Sequence, residues 1–243
     1  NCTLAANSAY AYGGGTYNGA LNNCALNGNS AGAGGGEYFS SVYGSLNTCT
    51  LTGNSAFQGG GAYSGTLNQC TLTGNSASQG GGACSGILNN CRLTGNSAAD
   101  GGGAYSGTLN QCMLTANSAS QGGGAYSGIL NNCAVTGNSA SQSGGGTCFG
   151  TVNNCALTGN SAWQYGGGTY EGALNQSTLT GNSAFQGGGA YRAALTDCVL
   201  YYNRANHQLN YAIDAIPGSN FIAIPLLNFC CTTPQPTCGF GNI

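Results

Sequence analysis

The chain has no lysine, and three arginines and five acids are the only charged residues among 243. An ordinary soluble domain is about a quarter charged, so this surface cannot be the usual mosaic of Lys and Glu. A net charge of −2 is too small to steer the protein toward nucleic acid or anionic lipid. No apolar run reaches the ~18 residues of a spanning helix, so no membrane insertion is expected. Proline occurs only at 217, 225, 234 and 236. No Met start or secretory leader is visible, so Asn1 reads as the start of a processed chain or of an excised piece. What the chain has instead is 46 glycines, 14 cysteines and 14 tyrosines. The apolar fraction, 41 %, recurs on a strict period, which disordered chains do not show.

That period is the informative feature. Asn-Ser-Ala begins at Asn7, Asn29, Asn54, Asn75, Asn96, Asn117, Asn138, Asn160 and Asn182, with a degenerate copy at Asn203. Most steps are 21 or 22 residues, and one is 25. The extra residues fall between Gly36 and Leu46 or just before a glycine triplet, at Tyr12, Ser143 and Tyr165, which marks those places as loops. Three glycines per unit, each costing about 1 kcal/mol in a helix, exclude helical pairs, and two leucines per unit are too few for a leucine-rich repeat. Alternating runs such as Cys70-Thr71-Leu72-Thr73 fit short strands. The expected fold is all-β: a right-handed parallel β-helix of about nine or ten coils, stacked at roughly 4.8 Å over 45–50 Å. It covers residues 1–200, and 201–243 form an irregular capping or subunit-joining segment.

Stacking places equivalent residues in columns. Two aliphatic columns, such as Leu46-Leu67-Leu88 and Leu51-Leu72-Leu93, and the Ala of each tripeptide are expected to fill the core. The asparagines Asn22, Asn47, Asn68, Asn89, Asn110, Asn131, Asn153 and Asn175 form one ladder, and the tripeptide Asn forms another. Stacked amides can hydrogen-bond up and down such ladders. Cys2, Cys24, Cys49, Cys70, Cys91, Cys112, Cys133, Cys155 and Cys198 share a slot that Ser177 interrupts. One Cys per coil does not supply a zinc tetrahedron, so these are expected to be small buried thiols packing as hydrophobes, with vertical disulfides as the alternative. Fourteen cysteines argue for an extracellular location.

Leu-Thr-Gly-Asn at Leu72–Asn75, with Gly60-Gly61-Ala62 and Gly81-Gly82-Ala83, resembles the paired FxxN and GGA[ILV] repeats of the chlamydial polymorphic outer membrane proteins. The pattern is also similar to the right-handed β-helix repeats of autotransporter passengers and other bacterial surface proteins. Here Leu replaces Phe, and Tyr63 or Cys84 follows where the family has an aliphatic residue. The resemblance covers residues 1 to about 205 and implies a secreted, non-enzymatic surface protein with an adhesive or structural role. The tail from Cys230 resembles junction segments in very long β-helix proteins of environmental bacteria.

The outward columns bear on function. Tyr17, Tyr38, Tyr63, Tyr105, Tyr126, Tyr170 and Tyr191 share a slot, read as an outward column that stacks sugars or serves as a structural ladder. Glutamines 58, 79, 121, 142, 164 and 186 form another column, broken by Asp100. A threonine column from Thr52 to Thr180 raises ice binding, but Arg92 and Met113 would spoil a two-column threonine lattice. Polysaccharide-cleaving β-helices need clustered carboxylates. Glu37, Asp100 and Glu171 fall in separate coils, and Asp197, His207 and Asp214 are the only conceivable cluster, so no catalytic site, metal or cofactor is expected. Glu171 and Arg192, one residue after the column Tyr in consecutive coils, are expected to form an outward ion pair. The chain enters the repeat at once at Asn1, Cys2 and Leu4, and an open solenoid edge pairs readily. With Cys230, Cys231 and Cys238 at the other end, the expectation is a head-to-tail homopolymer. A monomeric adhesin binding glycans or a host surface is the alternative.

Overall fold

A computed structural model describes residues 1–41 and 44–206, together with the strands Tyr211–Ala212, Leu227–Asn228 and Cys231–Thr232. The architecture is all-β, a parallel β-solenoid of about ten turns. One coil shows the logic. Thr71–Thr73 crosses the first face with Leu72 inward and both threonines outward, the period-two alternation of a strand. Gly74 (φ +62°) turns the chain, Asn75 is buried, and Ser76 and Gln79 bridge to neighbouring coils along the second face. The triplet Gly80-Gly81-Gly82 then forms a corner. Gly80 has φ +64°. A Cβ on Gly81 would lie 2.4 Å from the Ser97 carbonyl oxygen and 2.5 Å from that of Gly102, so the backbones of adjacent coils approach too closely for any side chain. Ala83–Cys84 and Ile87–Asn89 cross the third face. Later coils fuse this pair into single strands, Thr147–Asn153, Thr169–Asn175 and Ala190–Thr196.

Register is kept from coil to coil. Leu51, Leu72, Leu93 and Leu114 are aligned on the first face, and Leu46, Leu67, Leu88 and Leu109 on the third. Both columns are wholly buried and form one continuous core with the cysteine column. Two expectations need correction. The tripeptide alanines do not join this core: Ala140, Ala162 and Ala184 form a small cluster of their own, and their counterparts from Ala9 to Ala119 are only half-buried. The glutamine column passes through Gln58, Gln79, Asp100 and Gln121, but Ser143 and Tyr165, rather than Gln142 and Gln164, take the next rungs before Gln186. The one-residue insertions before the triplets enter the ladder and displace the glutamines. Beyond Leu200, three short strands still pair in parallel with the last coil. Tyr211–Ala212 pairs with Ala190–Tyr191, Leu227–Asn228 with Leu195–Thr196, and Cys231–Thr232 with Val199–Leu200. The offset is 21 residues at the first of these strands and 32 at the other two, so the spacing departs from the repeat between Ala212 and Leu227. Asp214, Cys230 and Cys238 lie outside the described residues, as does His207.

Candidate functional site

The tripeptide asparagines form the more deeply buried of two amide ladders. Asn54, Asn75 and Asn96 have no exposure, and each is fully engaged. Asn75 donates its backbone N–H to Asn96 Oδ1 at 2.9 Å, and its Nδ2 to the same oxygen at 3.0 Å and to the Leu51 carbonyl at 2.9 Å. Burial of a polar group is costly unless it is bonded, and this arrangement satisfies two backbone groups at the corner as well as the amide. The second ladder is half-buried on the third face. There Asn89 Nδ2 donates to Asn68 Oδ1 at 2.9 Å, and Asn110 Nδ2 to Asn89 Oδ1 at 2.9 Å. This chain runs from Asn47 through Asn131 and Asn153 to Asn175, and Asn22 is aligned with Asn47. From amide to amide this ladder donates toward the amino-terminal coil, whereas the buried ladder donates toward the carboxy-terminal coil and sends its second N–H back to a leucine carbonyl of the preceding coil.

The ten cysteines from Cys2 to Cys155 are free thiols, and every one but Cys2 is buried, as is Cys198. They do more than fill space. The Cys91 thiol lies 3.3 Å from the Leu67 carbonyl and 3.4 Å from that of Asn89, and the N–H of Cys91 points at Cys112 Sγ at 3.4 Å. Ser177 makes the same set with oxygen: Cys155 N–H donates to its Oγ at 3.1 Å, and Oγ–H donates to the Asn175 carbonyl at 2.8 Å. The slot therefore requires a small side chain that both donates and accepts, and the single serine was its signal in the sequence. Cys2 and Cys24 bring their sulfurs to 3.2 Å. Among the described residues the cysteine column serves turn chemistry.

The tyrosine column is aligned, but its exposure varies. Tyr17 is 52 % exposed, Tyr38 to Tyr170 are half-buried, and Tyr191 is 2 % exposed. Rings stack at centroid distances of 5.4 Å (Tyr17–Tyr38), 5.0 Å (Tyr38–Tyr63), 5.2 Å (Tyr105–Tyr126) and 5.7 Å (Tyr170–Tyr191). Cys84 and Cys148 occupy the slot in two coils and are buried. Burial pushes Cys148 up to about 12, and the Glu171 and Asp100 carboxylates push the same way. Phe149, next to Cys148, swings its ring into the column and meets Tyr126 and Tyr170 edge-on at 5.5 Å each. Two of the inserted residues add further rings at the glycine corner: Tyr12 lies 4.5 Å from Tyr38, and Tyr165 lies 4.6 Å from Tyr191.

The acidic groups are dispersed. Arg192 Nη1 is 3.8 Å from Glu171 Oε1, both half-exposed, as the register predicts, and the guanidinium also sits 5.5 Å from the Tyr191 ring centre. Asp100 takes a rung between Gln79 and Gln121, and burial raises it. Glu37, a scattered acid by its place in the sequence, has a specific setting in the fold. It occupies the inward slot held elsewhere by Ala62, with no exposure. Its Oε1 accepts the Gly19 N–H at 3.1 Å, and no partner meets its Oε2. Desolvation lifts it to about 8, so it is held neutral, against the opposing pull of the Gly19 bond. Among the described residues no cluster of His, Cys, Asp and Glu is arranged to hold a metal.

On the second face, Ser118, Ser139, Ser161 and their alanines line a shallow 480 Å³ concavity beside Trp163, which is 77 % exposed. Phe185, 43 % exposed, follows in the next coil. Both occupy the position just after Asn-Ser-Ala, which Tyr10 and Phe57 also fill with exposed rings and which Gly32, Ser78, Ala99, Ser120 and Ser141 fill with small residues. No protein-family model matches the chain, and no curated protein matches it in sequence.

Proposed function

We propose that the protein is a non-enzymatic, extracellular structural β-solenoid that stacks end to end into a fibre or surface filament. The observation that carries this reading is the repetition of one interface. Each coil meets the next through leucine on leucine, thiol on backbone and asparagine on asparagine, in an almost unchanged register. Any coil edge therefore offers what an incoming coil of the same sequence needs. Thr3–Ala5 pairs with Ala25–Asn27, Leu4 is half-buried against the core, and Asn7 donates to Asn29 Oδ1. A second copy docking on that edge would be matched by bringing a leucine and an asparagine donor in register. The likeness of the repeat to chlamydial polymorphic outer membrane proteins and autotransporter passengers supports a cell-surface setting. Sedimentation across a concentration series, with electron microscopy of the same samples, tests the assembly. Filaments of solenoid width that lengthen with concentration are expected, and a monodisperse monomer at high concentration rejects them.

Exposed Trp163 and Phe185 beside a hydroxyl-lined hollow favour one second reading, a monomeric adhesin that stacks sugar rings on the indole. Trp163→Ala would then abolish retention on a glycan array without changing the melting temperature.

A further inference from the structure

The tyrosine column is not one continuous stack but three blocks. Tyr12, Tyr17, Tyr38 and Tyr63 form the first. Cys84 fills the next rung. Tyr105 and Tyr126 form the second block, and Phe149 stands edge-on between Tyr126 and Tyr170. Tyr165, Tyr170 and Tyr191 form the third. Within a block each phenol faces another at 4.5–6.4 Å between ring centres, held there by paired strands. Tyr12 and Tyr17 are 53 % and 52 % exposed, so the first block is open to an external oxidant. A side chain fixed beside its partner reacts at an effective concentration no second molecule can match.

We propose that these blocks are sites of oxidative tyrosine–tyrosine cross-linking, which staples neighbouring coils covalently. The co-reactant is hydrogen peroxide, used by a haem peroxidase acting as a one-electron oxidant. Each of two adjacent phenols gives up one electron and one proton. The two phenoxyl radicals join through carbons ortho to their hydroxyls, and the two ring hydrogens at the new bond move to the oxygens as aromaticity is restored. Two tyrosines and one peroxide thus yield one dityrosine and two waters, and the protein loses two hydrogens per link. Cys84 and Phe149 cannot form this bond, so the links are confined within blocks. The proposal rests on ring geometry alone and applies to a single rod as much as to a fibre.

The test treats the full chain with a haem peroxidase and limiting peroxide, then maps cross-linked peptides by mass spectrometry. Links of Tyr38 to Tyr12, Tyr17 or Tyr63, and of Tyr105 to Tyr126, are expected, in a yield independent of protein concentration. Tyr38→Phe keeps the stack, should remove the links to residue 38, and should leave Tyr105–Tyr126 intact. Cys84→Tyr should join the first two blocks and create a link to Tyr63 or Tyr105. Links that grow with protein concentration, links from Tyr63 directly to Tyr105 in the native chain, or oxygen addition without cross-linking would each overturn the proposal.

Discussion

Glu37 shows how one residue can set a pH dependence in a chain with only five acids. Folded, it keeps its proton to about pH 8; unfolded, it releases it near 4.5. Between those values the folded state binds the extra proton, so its contribution to stability falls as pH rises, and that fall is complete above about 8. Replacing the carboxyl by an amide removes the ionisation. Glu37→Gln should remove that slope and stabilise the chain at pH 8 by on the order of 4 kcal/mol, read from melts between about pH 4 and 8, below the ordinary pKa of a thiol. Thr48 makes a different point. The residue before each column cysteine is left-handed, with φ +53° at Gln69, +54° at Asn90 and +53° at Thr48. Asparagine tolerates that region, whereas a β-branched residue is strained there. Thr48→Asn should therefore raise stability by about 1 kcal/mol, seen as a higher denaturation midpoint.

At the scale of the rung, the ladders separate two kinds of burial. Truncating Asn96 would strand the Leu72 carbonyl and both donors of Asn75 in a dry corner. Asn96→Ala should cost about 3–5 kcal/mol, against about 1 kcal/mol for Asn89→Ala in the wetter ladder. For the cysteines, Cys112→Ser should cost less than about 1 kcal/mol, because Ser177 already performs that role. Cys112→Val, of similar size, should cost about 2 kcal/mol by leaving the Cys91 N–H without an acceptor. Denaturant melts of the four variants check the order, and a tolerated valine would return the column to simple packing. These contrasts also mark what the sequence could convey. The period placed the stacked leucines, asparagines and cysteines of the coils in their columns, because register follows from spacing alone. It could not show that Glu37 faces inward, since slot identity was judged from its charge rather than from its place after the triplet. Nor could it show that Phe149 would supply the ring missing at Cys148, because that depends on the left-handed turn at Phe149 (φ +56°). The glutamine column failed for a related reason: counting from Asn-Ser-Ala overlooks that an inserted residue can take over the rung.

Over the whole molecule, charge contributes little. Glu171–Arg192 is the one salt bridge among the described residues, and a half-exposed pair is worth at most about 1 kcal/mol. The melting temperature should therefore move by less than about 3 °C between dilute buffer and 1 M sodium chloride; a large drop would reveal electrostatic contacts beyond those of the described residues. The axis is not neutral in the same sense. An α-helix accumulates a dipole as its peptides line up, so each end of it carries a partial charge. In this solenoid the two asparagine ladders oppose each other amide to amide, and strand dipoles largely cancel in sheets, but the glycine corners do not alternate. Gly80, Gly81, Gly82 and Ala83 all donate their N–H groups to carbonyls of the carboxy-terminal coil, as do their counterparts in neighbouring coils. Those dipoles add from coil to coil, with the positive end at the carboxy-terminal tip. A long rod should therefore align in an electric field, and two rods should meet head to tail rather than head to head.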